Sequence, residues 1–173
     1  ACGMPLILEP MTGVRSVGLT WLIPAGSATE PEDRLGLSAM WSELLMRGAG
    51  ELGSREQADA WDRIGASRSA DASTMQLRIG CTTLGTRLHE ALPLAADMVL
   101  RPRFDEASID PSRDLALQAI ESLKDDPQER AVIAAKELHA HPPMNRSGLG
   151  TVEGLEAITR EDVAGGWAAR ARP

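Results

Sequence analysis

The sequence predicts an α+β domain, with helices laid on one face of a sheet of antiparallel or mixed strands. Three observations carry that prediction. Two early stretches alternate apolar with polar residues, the rhythm of a half-buried strand. Later stretches repeat apolar residues at spacings of three and four, the rhythm of an amphipathic helix. The strands come early with hairpin-length connections, while helices fill the later part of the chain.

In order along the chain, Pro5 to Pro10 is a short apolar run closed by proline and is predicted as a first strand. After the turn residues Thr12-Gly13, Val14 to Ile23 alternates, placing Val17, Leu19, Trp21 and Ile23 on one face. Pro24 to Asp33 is predicted as a polar loop, its Glu30-Pro31-Glu32-Asp33 a solvated connection that feeds negative charge to the next helix. Leu37, Met40, Trp41, Leu44 and Leu45 form a helical stripe that ends at Gly48 and Gly50. Ser54 with Gln57 predicts a capping-box start for a helix reaching about Ile64. Thr74 to Cys81 alternates again, with Met75, Leu77, Ile79 and Cys81 on one face. Leu84 to Leu100 reads as a helix that Pro93 bends or starts late. Asp110-Pro111 and Asp126-Pro127 each predict a helix start, and Thr159 to Asp162 opens a last helix running toward Ala171.

The composition narrows the function. A chain of 173 residues fits one domain, 1–173, with a real core. One Phe, four Trp and no Tyr argue against stacking platforms for single strands, and a net charge of −7 argues against phosphate binding, so nucleic acid is not expected as a partner. No apolar run reaches the roughly 18 residues of a membrane helix; a soluble chain without a membrane span is expected. Cys2 and Cys81 form no C-x-x-C pair and read as one terminal cysteine and one packed strand cysteine. The Ala-Cys start is compatible with removal of a signal, which leaves cytoplasmic and periplasmic or secreted locations open.

Several stretches, in order, carry a resemblance. They are Val14 to Gly26 with Ser27 and Glu30, Gly36 to Gly48, Arg101-Pro102-Arg103-Phe104, His141-Pro142 with Arg146 and Gly150-Thr151, and Ala157 to Asp162. Together they resemble the amino-terminal domain of the M16 (insulinase, mitochondrial processing peptidase) metallopeptidases, and so imply their LuxS/metallohydrolase-like sheet. The resemblance spans nearly the whole chain. It also implies a further strand, so that the domain is truncated before its last strand or strands, and a second M16-like domain outside this chain.

In that family Gly36 to Gly48 is where a His-x-x-Glu-His zinc helix lies. Here the two histidine positions read Ala39 and Glu43 and the glutamate position reads Ser42. Aligning Arg113-Asp114-Leu115 with the later ligand helix puts Ala119 at the third ligand and Ser112 at an upstream acidic partner. A zinc peptidase needs neutral imidazoles and a carboxylate base for the bound water. The resemblance therefore implies a catalytically inactive domain or subunit with no zinc and no catalytic residue of its own. It would pair with a zinc-bearing M16 partner or second domain and help form a chamber for a peptide substrate. Ser69, Ala70 and Asp71 match the family's peptide-pairing edge element, where an ordinary exposed edge is the other reading.

The remaining candidates have plainer readings. Glu43 reads as a salt-bridged helix residue, and Ser42 as a nucleophile would need an oriented histidine. His139 and His141 read as cations near a helix end. Trp21, Trp41, Trp61 and Trp167 read as core or interface anchors, Trp41 as an interface candidate. The alternative is an active zinc metallopeptidase with displaced ligands drawn from Glu43, His89, Glu90, His139 and His141.

Overall fold

A computed structural model describes residues 4–171. Strands β1 (Ser16–Ile23), β4 (Ser67–Ala72) and β5 (Leu77–Leu84) form an antiparallel sheet in the order β1-β5-β4. A small hairpin of β2 (Gly48–Ala49) and β3 (Leu52–Gly53) stands apart. The helices are α1 (Leu37–Leu44), α2 (Ser54–Arg63), α3 (Leu88–Leu100), α4 (Glu106–Ser122), α5 (Pro127–His139), α6 (Val152–Ala157) and α7 (Arg160–Arg170).

The register explains why the helices lie on one face. Leu19 pairs with Cys81, Trp21 with Ile79 and Ile23 with Leu77, so the predicted stripe of β1 and the stripe of β5 point the same way. Leu77, Ile79 and Cys81 are buried, whereas Arg78, Thr82 and Leu84 on the opposite face are exposed. Burial pushes the Cys81 thiol up, the inert packed cysteine that the sequence predicts. Cys2 lies outside the described residues, as does Pro173.

Several local expectations change. Pro5 to Pro10 forms no strand: Leu6, Ile7 and Leu8 are exposed, and among the described residues no strand pairs with them. An apolar run becomes a strand only where a neighbouring edge supplies its hydrogen bonds. Helix α4 starts at Glu106 and carries Pro111 inside it, so Asp110-Pro111 does not open it. Phe104, buried at φ 46°, turns the chain, and its carbonyl accepts from Arg160 Nε at 2.8 Å, which starts the helix earlier. Helix α2 begins at Ser54, so its cap is Gly53, one residue before the predicted one, with Glu56 Oε2 accepting from Gly53 N at 2.8 Å. Gln57 instead turns inward, accepting from Gly48 N at 3.1 Å and donating to Leu45 O at 3.2 Å. β5 starts at Leu77, and Met75 lies in the exposed turn before it. β5 runs on to Leu84, and the helix holding Pro93 starts late, at Leu88.

Trp41 is a core residue rather than an interface anchor. It is 0% exposed, meets Trp167 edge-on at 5.7 Å, and donates from Nε1 to Val163 O at 3.0 Å. Helix α7 covers it, so no face of the indole is left for a partner. The starts of α5 and α7 follow the sequence: Asp126 Oδ1 accepts from Glu129 N at 2.9 Å, and Thr159 and Asp162 form a reciprocal cap.

Candidate functional site

Helix α1 is held at its start by a carboxylate. Glu30 Oε2 accepts from Gly36 N at 2.9 Å, and Oε1 accepts from Ser38 N at 2.7 Å and from the Ser38 hydroxyl. Glu30 is 5% exposed, so the acidic loop is not wholly solvated: its first carboxylate is buried as a cap. The backbone needs a glycine here. Gly36 has φ 112°, and a Cβ on Gly150 would lie 2.3 Å from the Gly36 Cα. Two guanidinium groups pin the same loop from outside: Arg146 donates to Glu30 O, and Arg170 donates to Thr29 O.

Beyond this anchored turn, α1 divides by face. Leu37, Met40, Trp41 and Leu44 are buried, as the sequence predicts, while Ala39, Ser42, Glu43 and Met46 are partly buried. α1 packs against α4 and β4. The structure therefore brings three of the predicted elements together: the helix of Ala39, Ser42 and Glu43, the helix of Ala119, and the strand of Ser69, Ala70 and Asp71.

The chemistry at these positions is spare. Ala39 and Ala119 have no side-chain lone pair. Glu43 faces Arg47 across 3.9 Å, and the Ser42 hydroxyl donates to Ser38 O at 3.0 Å rather than to a histidine. Ser112, the position of the upstream acidic partner, is fully buried with its Oγ unpartnered. The displaced ligands do not gather. His89 opens α3 and is 78% exposed, near Glu90 at 3.8 Å, and Arg87 binds Glu90 at 2.7 Å. His139 ends α5 and His141 follows it, both exposed. Among the described residues, no three His, Cys, Asp or Glu side chains cluster as a metal site.

β4 is an edge of the sheet, as the resemblance implies. Ala70 pairs with Ile79 and so points toward the helices; Ser69 and Asp71 point to the other face, where Asp71 meets Arg78 at 3.5 Å. Arg68 points inward over the Trp61 ring at 6.0 Å, and burial lowers its pKa, with Asp62 opposing.

Glu30 and Gln57 are anchors that the sequence does not reveal. Both bind backbone six or more residues away, beyond the spacing of any capping rule.

This sheet, with a capped helix against its edge strand, has its counterpart among known proteins. The family described as Insulinase (Peptidase family M16) matches residues 7–145, and the chain belongs to that family. It is 24% identical over 165 residues to a probable mitochondrial-processing peptidase subunit beta of Arabidopsis thaliana, covering 93% of this chain and 30% of that one. It is 26% identical over 139 residues to a Helicobacter pylori protein called a non-peptidase homolog, covering 80% of this chain and 32% of the relative. The chain thus spans about a third of the length of these relatives. Among solved structures, a peptidase M16 inactive domain from Pseudomonas fluorescens superposes with a TM-score of 0.81 at 19% identity, over 90% of this chain and 38% of that one. The α+β fold is thereby that of the M16 peptidase domains.

The zinc that the resemblance implies for active members does not fit these residues. Of the three positions that the resemblance aligns with zinc ligands, two are alanines and the third holds a carboxylate beside Arg47, and the position it aligns with the base is a serine bonded to its own helix.

Proposed function

We propose that this chain is a catalytically silent M16 domain that pairs with a zinc-bearing partner subunit or second domain and helps enclose a peptide. The observation that carries the reading is the contrast along α1. The helix is capped, buried and packed against α4 and β4, yet the positions of ligand and base hold Ala39, Ser42, Glu43 and, on α4, Ala119. A relative called a non-peptidase homolog and a structure titled an inactive domain are consistent with that reading.

The part left to such a domain is shape and backbone. Ser69, Ala70 and Asp71 lie on an edge strand, and an extended peptide adds to such an edge through main-chain hydrogen bonds that ask little of the side chains. Hydrolysis would then belong to the partner, whose zinc activates water. The rival reading, a zinc peptidase with displaced ligands, finds no arrangement in its support. Glu43, His89, Glu90, His139 and His141 stand on α1, at the start of α3, and at the end of α5 and the loop after it.

The test is reconstitution. The purified chain is assayed on a mixed peptide library with added zinc, cobalt or manganese, then together with an active M16 subunit from the same source. No cleavage alone, and cleavage by the pair that falls when Ala70 is changed to proline, is the expected result. Chelator-sensitive cleavage by the chain alone overturns the reading.

A further inference from the structure

The two charges on the edge strand β4 have different surroundings. Asp71 stands opposite Arg78 on β5 and meets it at 3.5 Å on the exposed face of the sheet. Arg68 stands opposite Cys81, a buried thiol that burial keeps protonated, so the ladder offers it no counter-charge. Its guanidinium lies instead on the helix side, over the Trp61 ring at 6.0 Å. Among the described residues it forms no ion pair, and Asp62 acts on it only through its field. Two donors here are buried without an acceptor, Arg68 Nε and Trp61 Nε1.

A guanidinium that has lost part of its water and gained no carboxylate is costly where it stands. Arg68 is half-buried, and burial pulls its pKa down, the mark of that loss. An inward-pointing charge also decides what can be added to a strand edge. An added strand places one residue opposite Arg68 on the same face, with Cβ atoms about 4.5 to 5.5 Å apart. An apolar side chain there would strip more water from the guanidinium and return nothing. A carboxylate there would give it a charge-assisted, forked partner. The pair of Asp71 and Arg78 already shows an opposite-charge match across this sheet.

We propose that the β4 edge selects peptides that bring a carboxylate opposite Arg68, an acidic side chain or the peptide's own C-terminus. The inference rests on the edge-pairing reading of the proposed function and adds the class of peptide. Backbone pairing along Ser67–Ala72 supplies general affinity, and Arg68 supplies the choice. Trp61, fully buried on α2, is the platform beneath the guanidinium, so the charge is placed before the peptide arrives.

The test measures binding directly, by fluorescence anisotropy of dye-labelled Thr/Val peptides. One central position carries Asp, Asn or Lys in amidated peptides, and a neutral peptide with a free C-terminus forms a further arm. The Asp peptide is expected to bind about tenfold tighter than the Asn peptide, with Lys weakest and the preference falling as salt rises. A free-acid peptide that matches the Asp one assigns the carboxylate to the C-terminus; one that matches Asn assigns it to the side chain. Arg68→Gln brings the Asp and Asn peptides level, and Arg68→Glu turns the preference toward Lys, each fold being checked by circular dichroism. Because the readout is a ratio within one variant, a general loss of affinity does not imitate it. Equal binding of all four peptides by the native chain overturns this inference and leaves the edge reading standing. Binding by none, or binding that Ala70→Pro leaves unchanged, overturns both.

Discussion

At the start of α1, one buried carboxylate satisfies two backbone N–H groups and a hydroxyl, and two arginines hold the loop that presents it. One and two turns further on, the same helix offers Ala39, Ser42 and Glu43 on its partly buried face, where the Ser42 hydroxyl bonds Ser38 O and Glu43 faces Arg47 just past the helix end. The first region is bound to the fold by groups that lose water and must be paired. The second is bound by packing that small residues serve well. Chemistry can be removed from the second without disturbing the first, because a metal ligand is not what makes the helix stable. That is how the M16 frame is kept around Ala39, Ser42 and Glu43.

The sharpest way to break the comparison is to strike the frame. Trp41→Ala empties a fully buried site and removes the bond to Val163 O; a loss of about 3–5 kcal/mol is expected from denaturant unfolding. Glu30→Ala leaves the N–H groups of Gly36 and Ser38 buried without their acceptor, and about 1–3 kcal/mol is expected, with Glu30→Gln milder because it keeps an acceptor. Thr159→Ala removes the α7 cap and is expected to cost about 1 kcal/mol, read as a fall in melting temperature. Changes at the silent positions form the contrast: Glu43→Gln breaks only a partly exposed ion pair at 3.9 Å, and its effect is expected within about 0.5 kcal/mol.

The smallest effect is a pH dependence. At Asp162, burial works to raise the carboxyl, but hydrogen bonds from Thr159 and Arg34 outweigh it and hold the group below the usual carboxylate range. A depressed acid stabilises the fold above its unfolded value, about 3.9, and loses that contribution as pH falls through the lower folded value. The stability gap between the native chain and Asp162→Asn should therefore be full at pH 6 and shrink below about pH 4. A gap that stays constant down to pH 2 would remove Arg34 and Thr159 as the cause.

Much of the fold was legible where the signal was local. The stripe from Leu37 to Leu45 is buried as its spacing implies, and Asp126 and Thr159 cap the helices they precede. Misreadings arose where a distant contact decided the outcome. Asp110-Pro111 looks like a helix start, yet the buried Phe104 and its bond from Arg160 begin α4 earlier, and Pro111 rides within it. Pro5 to Pro10 has the composition of a strand, but strand formation rests on an edge that the residues themselves do not supply. In the site, the identities of Ala39, Ser42, Glu43 and Ala119 could be read from the sequence only through the family resemblance. The role of Glu30 could not, because its partners lie six and eight residues away on the far side of a glycine turn.

The most direct measurement of the central claim is metal content. The purified chain is incubated with excess zinc, dialysed, and analysed for bound metal beside Glu43→Gln. Less than about a tenth of an equivalent in both is the predicted result, since zinc sites need three or four donors and α1 and α4 present one at the ligand positions. One tightly held equivalent in the native chain, lost in Glu43→Gln, would contradict the account and return the chain to the metallopeptidases.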